Sequence, residues 1–372
     1  MKLIALSKET IEKNGRFRPF HNEVERKVNS EAVSERTNFW EVFRMRQVTF
    51  LQRVVLITIL AGLVVPSLAQ QTQDPAVGDW LLKSDVEGRP MNSLLLITKD
   101  SAGVYTGLWS GFFGINKVDN LKIEGGKISF SQTNRFREQE MTSSFTGTFK
   151  EGKLEGTLSN DNGDIAFKGA RMEMPSVIGV WEFRRQRQDQ EVVSKLTVSR
   201  DTNGIITASW QSEGEQGGSW EISNVKYENE KLTFIRKNTN PERPMEMTYS
   251  LAAQGDILAG TATSQRGERQ VEGKRLNSEL IGKWELTLTS DRGDRKQLLY
   301  VLPDMTAMYG SMNAGSVTYQ QGKVSFKYEI TFGDRTFSNE FKGQLENGQL
   351  TGEMSSDRGT QQVKGKKMTA VQ

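Results

Sequence analysis

Few side chains in this protein can do covalent or metal chemistry. The 372 residues include one His (His21), no Cys and 46 Asp+Glu. Thiolate catalysis, disulfides and cysteine metal sites are excluded, as is any multi-histidine centre. A Ser-His-Asp site lacks its base. No Gly-x-Gly-x-x-Gly leads a strand into a helix, and no phosphate loop ends on Lys-Ser/Thr. Two carboxylate chemistries survive. Paired acids hydrolyse glycosides, and Glu138, Asp161 and Glu213 are candidates, although nothing in the sequence sets two of them across a cleft. Calcium binds Asp-rich turns. The best stretch is Asp161-Asn162-Gly163-Asp164, which lacks the terminal Glu of a full loop and reads first as a solvated turn. No cofactor is implied.

Aromatic residues beside Gly-rich segments are the other candidates. Trp109 precedes Gly111-Phe112-Phe113-Gly114, and Trp210 and Trp220 bracket SEGEQGGS. Tyr309 lies in the matching region further on. Such rings stack on a sugar or an apolar ligand, and they fill a small barrel equally well. Arg184, Arg185 and Arg187 form a local patch for an anion or an exposed strand face.

The chain divides into a leader and a body. Residues 1–69 hold 11 Lys+Arg and 7 Asp+Glu, which leaves 38 and 39 for the rest. The overall charge of +3 therefore belongs to the leader, and the near-neutral body does not suit nucleic acid. Val54 to Val65 reads VVLITILAGLVV, preceded by Arg46 and Arg53 and followed by Ser67 and Ala69. That is the order of a secretory signal. As a helix the run spans only about 18 Å, against about 30 Å of hydrocarbon. Residues 45–69 are expected to be a signal peptide starting at Met45, with 1–44 an extension, misread or disordered. The body is then secreted or periplasmic, with no stable membrane insertion after cleavage. The alternative is an anchor at residues 48–69.

One pattern recurs three times in the body. Gly78-Asp79-Trp80, Gly179-Val180-Trp181 and Gly282-Lys283-Trp284 are spaced by 101 and 103 residues. Each is followed by Lys-apolar-x-Phe (GKISF, EKLTF, GKVSF) and then by Leu-x-Gly (Gly156, Gly260, Gly352). Each copy closes on Gly-x-basic-apolar, with Arg171, Arg275 and Lys367 as the basic residues. A period this long suits independent domains rather than short solenoid units. The modules are placed at 76–174, 177–276 and 280–369, joined by very short segments that predict an ordered array.

Within a module the hydrophobic period is two, and no stretch carries a helical stripe. In the first module strands are expected at 79–84, 91–98, 103–109, 114–123, 127–133, 140–149, 152–158 and 163–172. The fold class is all-β: three tandem small antiparallel barrels or barrel-like sandwiches after a signal helix. Closure is favoured because it removes edges from short strands. The Trp residues read as core, each covered by its module's closing cation. The Leu-x-Gly glycines read as bulges or tight turns.

The Gly-x-Trp opening and the closing basic residue resemble the lipocalin, avidin and fatty-acid-binding superfamily, at the two ends of each module. Similar Gly-x-Trp modules occur in uncharacterised secreted bacterial proteins. Modules near 95 residues are short for the superfamily, and Lys367 departs from its usual Arg. The resemblance implies a ligand cavity at one barrel mouth.

The function expected is therefore non-catalytic: binding of a small apolar or carbohydrate ligand, or of an envelope protein. The alternative is a structural or protein–protein interaction array with filled barrels. A carboxylate-dependent glycoside hydrolase comes third.

Overall fold

The computed structural model describes residues 74–368, apart from 87, 137–138, 188–189, 202, 213–219, 241, 243, 292 and 333–334. The signal peptide, the extension, His21, Glu138 and Glu213 lie outside the described residues. Every described regular element is a strand.

The first sheet contains β1 (Gly78–Val86), β2 (Arg89–Lys99), β3 (Tyr105–Gly111), β4 (Gly114–Glu124), β5 (Lys127–Phe136), β6 (Gln139–Lys150), β7 (Lys153–Asn160) and β8 (Gly163–Arg171). Each strand pairs with the next, and β8 pairs back onto β1, so the sheet is a closed barrel. All eight expected strands overlap observed ones. The third begins later than expected because the Asp100 carboxylate accepts the backbone N–H of Ala102 and Val104, holding that stretch as a turn.

The second sheet repeats the order with β9 (Gly179–Arg187), β10 (Gln190–Arg200), β11 (Ile206–Ser212), β12 (Trp220–Glu228), β13 (Lys231–Asn238), β14 (Glu246–Gln254), β15 (Ile257–Ser264) and β16 (Gly267–Arg275). Its ladder closes between β9 and β16 and ends at β11 and β12, which flank residues 213–219. The third has β17 (Gly282–Ser290), β18 (Gly293–Val301), β19 (Thr306–Tyr309), β20 (Met312–Ser316), β21 (Thr318–Gln320), β22 (Lys323–Phe332), β23 (Arg335–Glu346), β24 (Gln349–Ser356) and β25 (Gly359–Lys367). Here β17 pairs with β25. Alternation puts one face of every strand inside, and each barrel has its own apolar core.

The Leu-x-Gly glycines are not bulges. Gly156, Gly260 and Gly352 lie inside β7, β15 and β24 with unbroken register to the strand before. A Cβ on Gly156 would meet the Phe145 ring at 2.4 Å, and one on Gly352 would meet the Lys342 carbonyl oxygen at 2.3 Å. These positions need glycine for close approach. The register shifts fall elsewhere, at Asn120, Asn224 and Gly315, whose φ values are 55°, 54° and 62°. Asn is among the few non-glycine residues that adopt this left-handed backbone readily.

The first and third barrels also pack against each other. Leu94, Leu96 and Leu298 are buried outside the barrel interiors, with Leu81, Leu108, Ile115, Met172, Met308 and Met368 packed around them. Leu95 and Leu299 sit opposite Trp80 and Trp284 respectively, which fixes the equivalence of the two modules. Leu94 then matches Leu298, Leu108 matches Met308, and Met172 matches Met368, so like positions meet like in a pseudo-two-fold contact. Asp79 and Lys283, also equivalent, form an ion pair, and the Tyr300 hydroxyl donates to Asp79 at 2.9 Å. Gln297 is fully buried. Its Nε2 donates to the Gly111 and Phe112 carbonyls at 3.4 Å each, and its Oε1 accepts from the Ser110 hydroxyl at 3.4 Å.

Candidate functional site

Each barrel is sealed at the end where its first strand begins. Trp80, Trp181 and Trp284 are all fully buried. Their indole N–H groups donate to the carbonyl four residues earlier, on Ala76 (3.0 Å), Val177 (2.8 Å) and Leu280 (2.8 Å). Over them lie Arg171 at 5.3 Å, Arg275 at 4.0 Å and Lys367 at 5.7 Å from the ring centroid. Such contacts contribute about 1–2 kcal/mol where partly desolvated. The same cations donate to carbonyls of the segment entering each barrel: Arg171 to Pro75, Arg275 to Ser176 and Ile178, and Lys367 to Ser278 and Glu279. Burial pulls the Arg275 and Lys367 pKa values down, and neighbouring acids only partly offset it. The signature glycine completes the plug. Gly179 has φ +134°, and a Cβ there would sit 2.5 Å from Arg275 Nη1.

Above the plug is an aromatic layer. Trp109, Trp210 and Tyr309 are one position in three barrels, each opposite the central leucine of the second strand (Leu95, Leu196 and Leu299). Trp109 is 3% exposed and packs with Phe130, Phe145 and Phe167 at centroid distances of 5.4–5.9 Å. Trp210 meets Phe183, Phe234 and Tyr249. Tyr309, 1% exposed, stacks on Tyr328 at 4.5 Å and lies near Phe326. These three sequence candidates therefore face inward. Phe112 and Phe113 do not join them: they form the β3–β4 turn, edge to face at 5.2 Å, with Phe113 55% exposed.

Towards the other end the three interiors diverge. The informative position lies two residues past the repeated Lys-apolar-x-Phe unit: Gln132, Arg236 and Tyr328. All three are buried, at 1%, 2% and 5% exposure, and register turns each inward beside its module's aromatic layer. Sequence reading missed them, although comparing the residues at this fixed offset would have found them.

In the first barrel Gln132 lies opposite Ser143, next to Asn116 and Asn134, and Ser84 and Ser93 share the inward face on β1 and β2. The Asn116 amide donates to the side-chain oxygens of Gln132 (3.3 Å) and Asn134. The Gln132 Nε2 group is buried and has no hydrogen-bond acceptor among the described residues.

In the second, the Arg236 guanidinium lies 4.8 Å from the Trp210 ring and 4.1 Å from that of Trp220, with Nη2 3.4 Å from the Ser212 hydroxyl. Ser212 also accepts from the Trp210 indole at 2.9 Å and contacts Ser194 at 2.9 Å. Thus Trp210 and Trp220 come together, with an arginine between them. Of the arginine patch, Arg184 is exposed and paired with Glu182 and Glu191 at 2.7 and 3.0 Å, whereas Arg185 is half-buried on the inward face.

In the third, Arg295 Nη2 lies 3.4 Å from the Tyr309 hydroxyl, and burial pushes the Tyr309 and Tyr328 hydroxyls above the usual range.

Of the carboxylate candidates, the described ones have no comparable setting. Asp161 and Asp164 are exposed at the β7–β8 turn, which is closed by the Asn160 side chain accepting the Asn162 N–H at 2.8 Å. Among the described residues no group of three or more acidic or histidine side chains is placed to hold a metal, and no helix is long and apolar enough to cross a membrane.

No protein-family model matches the chain, and no curated protein does. Among solved structures it is similar to a candidate outer membrane protein (BF2706) from Bacteroides fragilis, at 12% identity and TM-score 0.21, covering 78% of this chain and 97% of that one. It is similar also to a DUF3598-family protein of unknown function from Nostoc punctiforme, at 10% identity and TM-score 0.19, covering 79% and 97%. A third is transferrin binding protein B from Haemophilus parasuis, at 12% identity and TM-score 0.19, covering 77% and 74%. Scores this low establish no shared architecture.

Proposed function

We propose that this protein is a non-catalytic, extracytoplasmic binding protein whose three barrels are plugged at one end and carry recognition groups towards the other. One observation carries the reading. The plug and the aromatic layer repeat, yet at one buried inward position the modules place an amide (Gln132), a guanidinium (Arg236) and a phenol (Tyr328). A barrel that only fills itself has reason to repeat an apolar residue there, because a buried polar group costs about 1–3 kcal/mol unless it is hydrogen-bonded. Three polar chemistries at one position instead suit three ligands, or three parts of one ligand. Asp161 and Asp164, the described carboxylate candidates, lie exposed at a turn, and the leader pattern favours a location outside the cytoplasm.

A second reading has its own support. The lower half of each interior is packed with aromatic and aliphatic side chains, and the outer faces of the first and third barrels bury each other. That suits a structural or protein-interaction array.

The discriminating experiment is a screen of neutral sugars, anions and apolar probes against the purified protein, read by intrinsic tryptophan fluorescence. Trp109 and Trp210 lie in the aromatic layer beside Gln132 and Arg236, so occupancy shifts emission. A screen with no saturable response from any class favours the second reading.

A further inference from the structure

We infer that the first barrel binds a small, uncharged, hydroxyl-bearing ring of the monosaccharide class, with Gln132 Nε2 donating to one of its oxygens. The inference rests on the binding reading above and names a ligand class for one of its sites.

Four properties of the site point the same way. First, the buried Gln132 Nε2 group has a hydrogen to donate and no acceptor among the described residues. An amide nitrogen is a donor only, so the missing partner is an oxygen or another acceptor. Second, among the described residues the polar groups joined to Gln132 by hydrogen bond or register, directly or through Asn116, are Asn116, Asn134 and Ser143, and Ser84 and Ser93 share the inward face on β1 and β2; all are hydroxyls and amides without formal charge. They offer donors and acceptors to a polyol, and no counter-charge to an ion, whose desolvation would go uncompensated. Third, the floor is aromatic: Trp109 with Phe130 at 5.9 Å and Phe145 at 5.8 Å. An aromatic floor with polar walls matches a ring having an apolar C–H face and a hydroxylated edge. Fourth, the β3–β4 turn beside Asn116 is braced from outside by Gln297 of the third barrel, whose Nε2 donates to Gly111 and Phe112. This wall is held before any ligand arrives, which lowers the ordering cost of binding.

The other barrels set the contrast. The equivalent position is Arg236 in the second and Tyr328 in the third, so a neutral ring has its best match in the first.

The test is calorimetric titration of the full chain with glucose, galactose and N-acetylglucosamine. Glucuronate and glucosamine serve as charged analogues, and N-phenyl-1-naphthylamine as a neutral apolar probe. The expected result is saturable binding of at least one neutral sugar, with the charged analogues at least tenfold weaker. Gln132→Met keeps the shape and removes the donor. It is expected to weaken the sugar at least tenfold with little change in thermal stability, because the unpaired donor goes together with the Oε1 acceptor of Asn116, whose amide keeps Asn134. Asn116→Ala, at a half-buried position, is a second variant expected to weaken the sugar should Gln132→Met fail to fold. Unchanged sugar affinity in the folded variants, or equal affinity for charged analogues, overturns the inference. Binding of the naphthylamine alone overturns it too, yet leaves the wider binding reading standing. No heat from any probe counts against both.

Discussion

Asp79 and Lys283 occupy the middle position of the Gly-x-Trp signature in the first and third barrels, and they pair with each other. Their side chains are 14% and 27% exposed, so the pair is mostly shielded from solvent. One residue of each signature builds its own barrel, and the next joins that barrel to its distant copy.

Reversing one charge, as in Asp79→Lys, is expected to destabilise the contact by roughly 2–4 kcal/mol, since it leaves two cations in a partly dry interface. Asp79→Lys with Lys283→Asp is expected to recover most of the loss. A double-mutant cycle on thermal melts reads this coupling. Additive losses would show that the pair does not hold the barrels together.

The plug of the second barrel is expected to be intolerant of change. Arg275→Ala removes a cation over Trp181 and leaves the Ser176 and Ile178 carbonyls short of a donor, at a cost of about 2–4 kcal/mol. Gly179→Ala combines a disfavoured φ with a clash against the same arginine and is expected to cost a similar amount. Urea unfolding monitored by tryptophan emission measures both.

Gly352→Ala is expected to be worse than an ordinary mid-strand Gly→Ala. The added methyl would press on the Lys342 carbonyl and on Gly343 of the neighbouring strand, and a loss of about 2–4 kcal/mol follows from such overpacking. A neutral or stabilising result would mean that the strands separate more readily than their register implies.

The repeat, the strands and the Trp–cation pairs were legible because each rests on local chemistry: a period of two, Gly-containing turns, and a large ring near a cation. The Leu-x-Gly glycines misled because a glycine has two uses. A bulge and a close approach look alike in one sequence, and only the Phe145 ring and the facing Lys342 carbonyl decide between them. The contact between barrels was present in the sequence but unread. Ser93-Leu94-Leu95-Leu96-Ile97 and Gln297-Leu298-Leu299 are buried on both faces, and continuous apolar runs signal two-sided burial. The matching run in the second barrel, Lys195-Leu196-Thr197-Val198, alternates instead. Gln132, Arg236 and Tyr328 stayed hidden because single polar residues in a strand look exposed until register turns them inward.

Low pH is expected to loosen the entry to the first barrel. The Asp74 carboxylate accepts from Lys99 Nζ at 2.8 Å, from the Tyr105 hydroxyl at 2.5 Å and from the Ala76 N–H at 3.1 Å. Burial alone would raise its pKa, but these hydrogen bonds outweigh that and hold it below the usual value. A folded pKa below the unfolded one means that the stabilisation is complete at neutral pH and is lost as pH falls through the folded value. Asp74→Asn is therefore expected to lower the melting temperature at pH 7, with the gap from the native protein closing below about pH 4. A gap that is constant with pH would show that the carboxylate's charge is not what matters.

The pairing of the first and third barrels makes the order of the chain partly redundant. A cut at the joint near Pro175, or at the one near Ser278, would not by itself release a barrel from its partner, because Leu94, Leu298 and the Asp79–Lys283 pair still hold. The first and last barrels are already neighbours, so a circular permutant opened at either joint and relinked through a flexible segment from Met368 to Asp74 would keep every barrel intact. In the native order, the middle barrel is a bridge between two halves of a clasp.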